Sequence, residues 1–203
     1  MSESTNHLET RLGLFLAIFA AILAISDLFA GKYGDDEIIA HNEQTKAYNW
    51  FQSKSIKQGM SEGHLSVLTS MKLGGMVQPD RATKVDSLIT LSKQEIGRYK
   101  KEKTEILEGS AKVGKENWVQ EKEGKLGQIT GANEWGEKAD KLGAAGDMFD
   151  YAGLFLQLCL VMGAVGLITQ SEKQKKMFFM MLLGFGLAGT IFTVIAYKMA
   201  MVV

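Results

Sequence analysis

Two apolar runs, Tyr151 to Thr169 and Met177 to Tyr197, flank the short basic loop Ser171-Glu172-Lys173-Gln174-Lys175-Lys176, and they constrain this chain more than any other feature. The second run is 21 residues without a charge. At about 1.5 Å per residue it makes a helix of ~31 Å, matching a hydrocarbon core of about 30 Å. The first run is 19 residues whose one strongly polar member is Gln157. An open segment satisfies its own backbone in lipid only as a helix, so both runs are expected to be α-helical. The competing reading is a buried hairpin in a soluble core. A chain of 203 residues with so much charged sequence elsewhere could hardly cover two such helices.

Glycines punctuate both arms: Gly163 and Gly166 in the first, Gly184, Gly186 and Gly189 in the second, with Gly184 and Ala188 at small-xxx-small spacing. Small residues let helices approach closely where no hydrophobic effect drives them together. They join the two arms, or one subunit to the next, and the intramolecular role is preferred.

A third apolar run, Leu12 to Ala30, follows the polar flank of residues 1–11. A cleaved signal peptide would carry a basic start, whereas here Glu3 and Glu9 oppose Arg11, and Leu28 occupies the small-residue position before a cut after Ala30. A retained span is expected. Asp27 interrupts this run. At a bilayer centre it would mark an ion or proton site; lying within a turn of Ala30-Gly31-Lys32, it is read as interfacial. Asp27 and Gln157 are the two residues able to line an intramembrane polar path.

Lys plus Arg equals Asp plus Glu at 23 each, but the neutrality is segregated: residues 31–150 hold 18 basic and 19 acidic residues. No global field points to nucleic acid, and the lysines lack aromatic interleaving. The single cysteine, Cys159, excludes a disulfide framework or a cysteine-ligated zinc site within one chain. The histidines at 7, 41 and 64 have no second histidine three or four residues away. No phosphate loop or nucleophile elbow occurs. Glu121 and Glu123 sit in a lysine-alternating run and read as a solvated face. No enzyme activity, cofactor or metal is expected.

Residues 31–150 read as helical throughout. Gly34-Asp35-Asp36-Glu37 has the form of a helix start. A stripe through Ile38, Ile39, Tyr48, Phe51, Ile56, Met60, Val67 and Met71 follows at three- and four-residue spacing. Gly74-Gly75 ends that limb and Pro79-Asp80 restarts the chain, with Asp80 as the expected cap. The return limb carries Val85, Leu88, Ile89, Ile96, Tyr99 and Ile106. It is too long for one straight partner, and the glycines at 109, 114, 124 and 127 mark the break. Leu126, Ile129, Ala132, Trp135, Ala139, Leu142 and Phe149 then recur at helical spacing and run into Tyr151. No alternating strand pattern is visible. The aromatic cluster Tyr48, Trp50 and Phe51 is an interface candidate; packing of Trp50 and Phe51 against the return limb, with Trp118 or Trp135, is the preferred reading.

The stretch Asn42-Glu43, then Tyr48-Asn49-Trp50-Phe51-Gln52-Ser53-Lys54-Ser55-Ile56-Lys57, followed by a charged helical middle and Phe149-Asp150-Tyr151 before the hairpin, resembles an uncharacterised bacterial family, domain-of-unknown-function family 4337. The resemblance implies a bacterial inner-membrane protein and supplies no activity, catalytic residue or cofactor.

The expected fold is an all-α membrane protein. It has transmembrane helices at 12–30, 151–169 and 177–197, a helical-hairpin or coiled-coil extramembrane domain at 31–150, a basic loop at 170–176 and a tail at 198–203. Short Lys-rich loops stay cytoplasmic, which places the loop and amino terminus inside and residues 31–150 in the periplasm. The expected function is a membrane-anchored structural or scaffolding protein forming a helical homo-oligomer, in contact with lipid and with other membrane-protein subunits as further partners. The alternative is an oligomeric channel or an accessory subunit of a transport complex.

Overall fold

A computed structural model describes the backbone of residues 2–202 and the side chains of residues 7–202. The acidic flank residue Glu3 lies outside the described side chains. Helix α1 covers Ser2–Leu73, α2 Ala82–Glu108, α3 Ser110–Val113, α4 Ala132–Ile168 and α5 Glu172–Met201. A 3₁₀ turn at Pro79–Arg81 precedes α2, and a two-strand antiparallel hairpin, β1 (Glu121–Lys122) with β2 (Lys125–Leu126), lies between α3 and α4. Helices α1, α4 and α5 are each long and apolar enough to cross a membrane.

Three expectations are corrected. Gly34-Asp35-Asp36-Glu37 does not start a helix, because α1 runs through it unbroken. A cap serves amides that lack a preceding helical carbonyl, and a helix already under way supplies those carbonyls from the previous turn. Asp80 caps nothing: the positions before the 3₁₀ turn and before α2 are Gln78 and Arg81, neither with a side-chain cap bond. The strand pair was not visible as alternation because each strand is only two residues long. Its turn is set by positive φ at Glu123 and Gly124, a pairing suited to tight hairpins.

The glycine signals match the breaks. Gly75, Gly109, Gly114, Gly124 and Gly127 all have φ between 67° and 89°, a region costly for residues with a Cβ. Helix α1 ends at Leu73 as Gly74-Gly75 require, and α4 carries the pattern from Ala132 past Tyr151 without interruption.

The chain divides into two compact units, residues 1–39 with 138–203 and residues 40–137. The first is a three-helix bundle. Its interior is filled by Leu12, Phe19, Leu156, Cys159 and Leu182, and by a second cluster of Tyr33, Leu142, Ala145, Phe149, Ala196 and Ala200. Residues on α1 are buried every seventh position, at Leu12, Phe19, Ser26 and Tyr33, while Leu14, Ile18, Ile25, Leu154, Val161, Leu187 and Ile191 face outward. An outer surface as apolar as the interior is what lipid solvation requires and water disfavours.

The second unit is built on α1 and α2. Lys72 pairs with Asp86, the Ser61 hydroxyl donates to Glu95 at 3.2 Å, and Lys54 meets Glu102 at 2.7 Å. Positions fall on α1 as they rise on α2, so the two helices run antiparallel. The less exposed residues on α2, Val85, Ile89, Ser92, Ile96, Tyr99, Glu102 and Ile106, follow three- and four-residue steps, the spacing of a single helix-facing stripe.

Candidate functional site

Three places in the molecule gather side chains with chemical potential: the glycine-lined interior of the helix bundle, a cleft between two tryptophans, and a buried carboxylate.

In the bundle, four of the five interface-candidate glycines are sockets filled from within the same chain. A Cβ at Gly186 would strike the Phe19 ring, and one at Gly163 would strike Leu16 and Leu182. At Gly189 it would come within 2.6 Å of Leu156, and at Gly166 within 3.1 Å of Phe178. Gly184 is the exception: it is exposed, with nothing within 4 Å of a built Cβ. The small-xxx-small spacing of Gly184 and Ala188 therefore lies outside the packing that Gly186 and Gly189 make.

These contacts fix the depth of the polar residues. Ser26 Oγ lies 3.3 Å from Thr193 Oγ1, which also donates to the Gly189 carbonyl at 3.0 Å. Asp27 is thus level with Val194, one turn from Tyr197-Lys198. The Tyr151 ring lies 5.9 Å from that of Phe192, tilted by 44°, so Asp150 shares that level. Asp27 sits in a band with a second aspartate and aromatic rings, as an interfacial residue does. Asp27 and Gln157 are both exposed on the outside of the bundle, so a single copy does not bring them together around an internal path. At the other end Lys175, almost fully buried, pairs with Glu9 and ties the loop to the start of α1.

The aromatic candidates separate. Residues 48 and 50 lie about 200° apart on a helix, so Tyr48 and Trp50 cannot share a face. Tyr48 is exposed. Phe51 packs on the cluster of Ala47, Ile106 and Ala132, with the Lys103 ammonium 5.1 Å from its ring centroid. Trp50 faces a cleft of about 240 Å³ shared with Trp135, where Ala47 and Ile129 supply apolar wall and Glu43, Lys46, Glu121 and Lys122 supply balanced charge. Lys46 is paired with Glu43. Trp118 goes elsewhere: its Nε1–H donates to the Ser110 carbonyl at 2.7 Å, and its ring fills the space a side chain at Gly127 would need.

Sequence reasoning missed Glu105. It is fully buried beneath the segment joining α2 to α4. Its Oε2 accepts from the backbone amides of Val119 at 2.9 Å and Gln120 at 2.8 Å, and its Oε1 from the Ser110 hydroxyl at 2.7 Å. Ser110 in turn accepts from the Ile129 amide at 2.9 Å. One carboxylate thus closes both sides of a 20-residue excursion. Beside it the Glu134 carboxylate accepts from the Gly131 amide at 2.9 Å, half of a capping box at the start of α4. A side chain at Gly131 would overlap the backbone of Glu108 and Gly109. Nothing in a lone glutamate before Ile106 signals this. On the surface nearby, the Glu137 hydrogen bond holds the Lys112 ammonium above its usual pKa, against a smaller opposing effect of desolvation.

The family model of the domain of unknown function DUF4337 matches residues 8–199. The chain belongs to that family. The resemblance carried by residues 42–57 therefore extends over both units of this DUF4337 chain. No curated protein and no solved structure matches it.

Proposed function

We propose that this DUF4337 protein is a multi-pass membrane scaffold whose extramembrane helices form a coiled-coil hairpin that associates with further copies of itself. The observation that carries this reading is the excess of uncovered apolar side chains on α1 beyond the hairpin seam, including Ile56, Met60 and Val67, each more than half exposed. A solvated helix face is normally polar, and homo-oligomers are the common way of covering such a face. The seven-residue spacing of Ala40, Ala47, Lys54 and Ser61 on α1, set against the stripe on α2, supports the coiled-coil description.

The amino terminus and the α4–α5 loop share one end of the bundle through Glu9 and Lys175, and Arg11, Lys173 and Lys176 are exposed there. The opposite end carries Asp27, Asp35, Asp36, Glu37, Asp147 and Asp150 together with Lys32, Lys138, Lys141 and Lys198. The three lysines of the short α4–α5 loop support that loop as cytoplasmic, with residues 31–150 periplasmic if the membrane is a bacterial inner membrane. Native mass measurement in lipid nanodiscs tests assembly: an oligomer is expected, and a strict monomer without partners refutes it. Transport remains the alternative only in a form where Asp27 and Gln157 of separate copies meet. Flux through reconstituted protein that falls in Asp27→Asn would then replace the scaffold reading.

A further inference from the structure

The outer face of α5 near the loop grades from charged to apolar along the helix. At 3.6 residues per turn, Lys173, Lys176, Met177, Met180, Met181 and Gly184 fall on one side of it. All six are exposed. The two lysines and three methionines, with Gln174, line a hollow of about 690 Å³. Gly184 continues that hollow as a notch, since no atom lies within 4 Å of a Cβ built there. The other lysine of the loop, Lys175, is buried against Glu9, whereas Lys173 and Lys176 make no ion pair among the described residues. The loop's one acid, Glu172, has a contact of its own. Gly184 lies eight residues beyond Lys176, about 12 Å along the axis. Half a hydrocarbon core is about 15 Å, so with the ammonium groups among the headgroups the notch sits deep in the same leaflet.

We propose that this face is a binding site for one anionic phospholipid. Its headgroup phosphate lies between the Lys173 and Lys176 ammonium groups, and an acyl chain runs across Met177 and Met180 into the notch at Gly184. α5 is long and apolar enough to cross a membrane, which makes lipid the occupant, and the charge selects its kind. A zwitterionic headgroup brings its own cation to the two lysines, and an anionic one does not. Methionine is unbranched and adapts to a flexible chain. The proposal goes beyond the scaffold reading and needs only the membrane placement of α5. At the other end of the bundle Lys141 and Lys198 line a smaller hollow of about 380 Å³. There α4 also brings Asp140, Asp147 and Asp150, so that end is the internal comparison.

The test uses the full chain in nanodiscs made mostly of phosphatidylcholine with a minor share of phosphatidylglycerol, and native mass spectrometry reads which lipid stays bound on release. Phosphatidylglycerol is expected to be retained well above its share. Lys173→Gln and Lys176→Gln each lower that preference about fivefold, and together on the order of 30-fold. Gly184→Phe lowers the amount retained without changing charge or displacing a side chain, and Lys198→Gln leaves it unchanged. Equal retention of both lipids by the parent chain, an equal fall in Lys198→Gln, or undiminished retention in Gly184→Phe overturns the site. So does release of the lipid by inorganic phosphate, which marks a plain anion site. None of these outcomes touches the scaffold reading, which stands on the mass of the protein assembly. A chain monodisperse in buffer without detergent or lipid overturns both.

Discussion

Removing the Glu105 carboxylate should release the segment between α2 and α4 while leaving the helices themselves in place. Three donors converge on this group: the amides of Val119 and Gln120 and the Ser110 hydroxyl. A buried donor left without its acceptor costs about 1–3 kcal/mol, and hydrogen bonds to a charged acceptor lie at the upper end of that scale. Water can enter the space left by Glu105→Ala and meet part of the demand. The expected net cost is therefore about 3–5 kcal/mol, less than three independent losses. Glu105→Gln retains an oxygen for the two amides but turns an NH₂ toward the Ser110 hydroxyl, so about 1–2 kcal/mol is expected there. Hydrogen exchange of the full chain in nanodiscs reads this directly. The amides of Val119, Gln120 and Ile129 should exchange on the order of 10²–10⁴ times faster in Glu105→Ala, at about 1.4 kcal/mol per tenfold. Amides in the middle of α1 should not change. Equal exchange in the parent and the alanine variant would show that the carboxylate does not hold the segment.

Gly163→Leu and Gly186→Leu should each destabilise the bundle by about 1–3 kcal/mol through overpacking, read as a lower midpoint of thermal unfolding in detergent, whereas Gly184→Leu should leave the midpoint unchanged. Lys54→Met leaves Glu102, whose side chain is 6% exposed, with only the partly solvated Arg98, and should cost about 2–4 kcal/mol; adding Glu102→Leu should recover most of that loss. In spheroplasts, a maleimide that cannot cross the membrane should label Lys57→Cys and spare Gln174→Cys. The reverse pattern would invert the topology.

The apolar runs and the glycine breaks were legible because each rests on a local rule. Twenty-one uncharged residues have one solvent in which they are stable as a helix, and Gly109 or Gly124 at positive φ is chosen by its own sterics. The continuity of α1 was not legible. Gly31, Gly34 and the three acids at 35–37 each favour a break by about 1 kcal/mol or less, and the packing of Tyr33 and Ala40 on either side outweighs them. The aromatic cluster was half legible: Trp50 was expected to meet Trp118 or Trp135, but only the fold decides that Trp135 lines the cleft while Trp118 is drawn to Ser110. Glu105 was not legible at all, since its partners lie 5 to 15 residues away in an irregular segment.

The two units differ in where their packing is complete, and under the proposed scaffold reading this difference bears on where assembly would occur. In the helix bundle the small residues are already occupied: Phe19 sits on Gly186, Leu16 and Leu182 on Gly163, and Leu156 on Gly189. Lipid tails solvate the remaining apolar surface as well as another helix would, so little drives a second copy onto it. In the hairpin unit the balance is reversed. Lys54, Gln58, Ser61 and Glu102 share the seam with Val85, Ile89, Ile96 and Tyr99, and each of those buried polar atoms needs a partner, while Met60, Val67, Leu88 and Leu91 are exposed. Polar seam residues fix the register of two helices more strongly than they stabilise the pair. A hairpin built this way is aligned by its own chain, and under the proposed self-association covering its outer apolar flank would add to its stability.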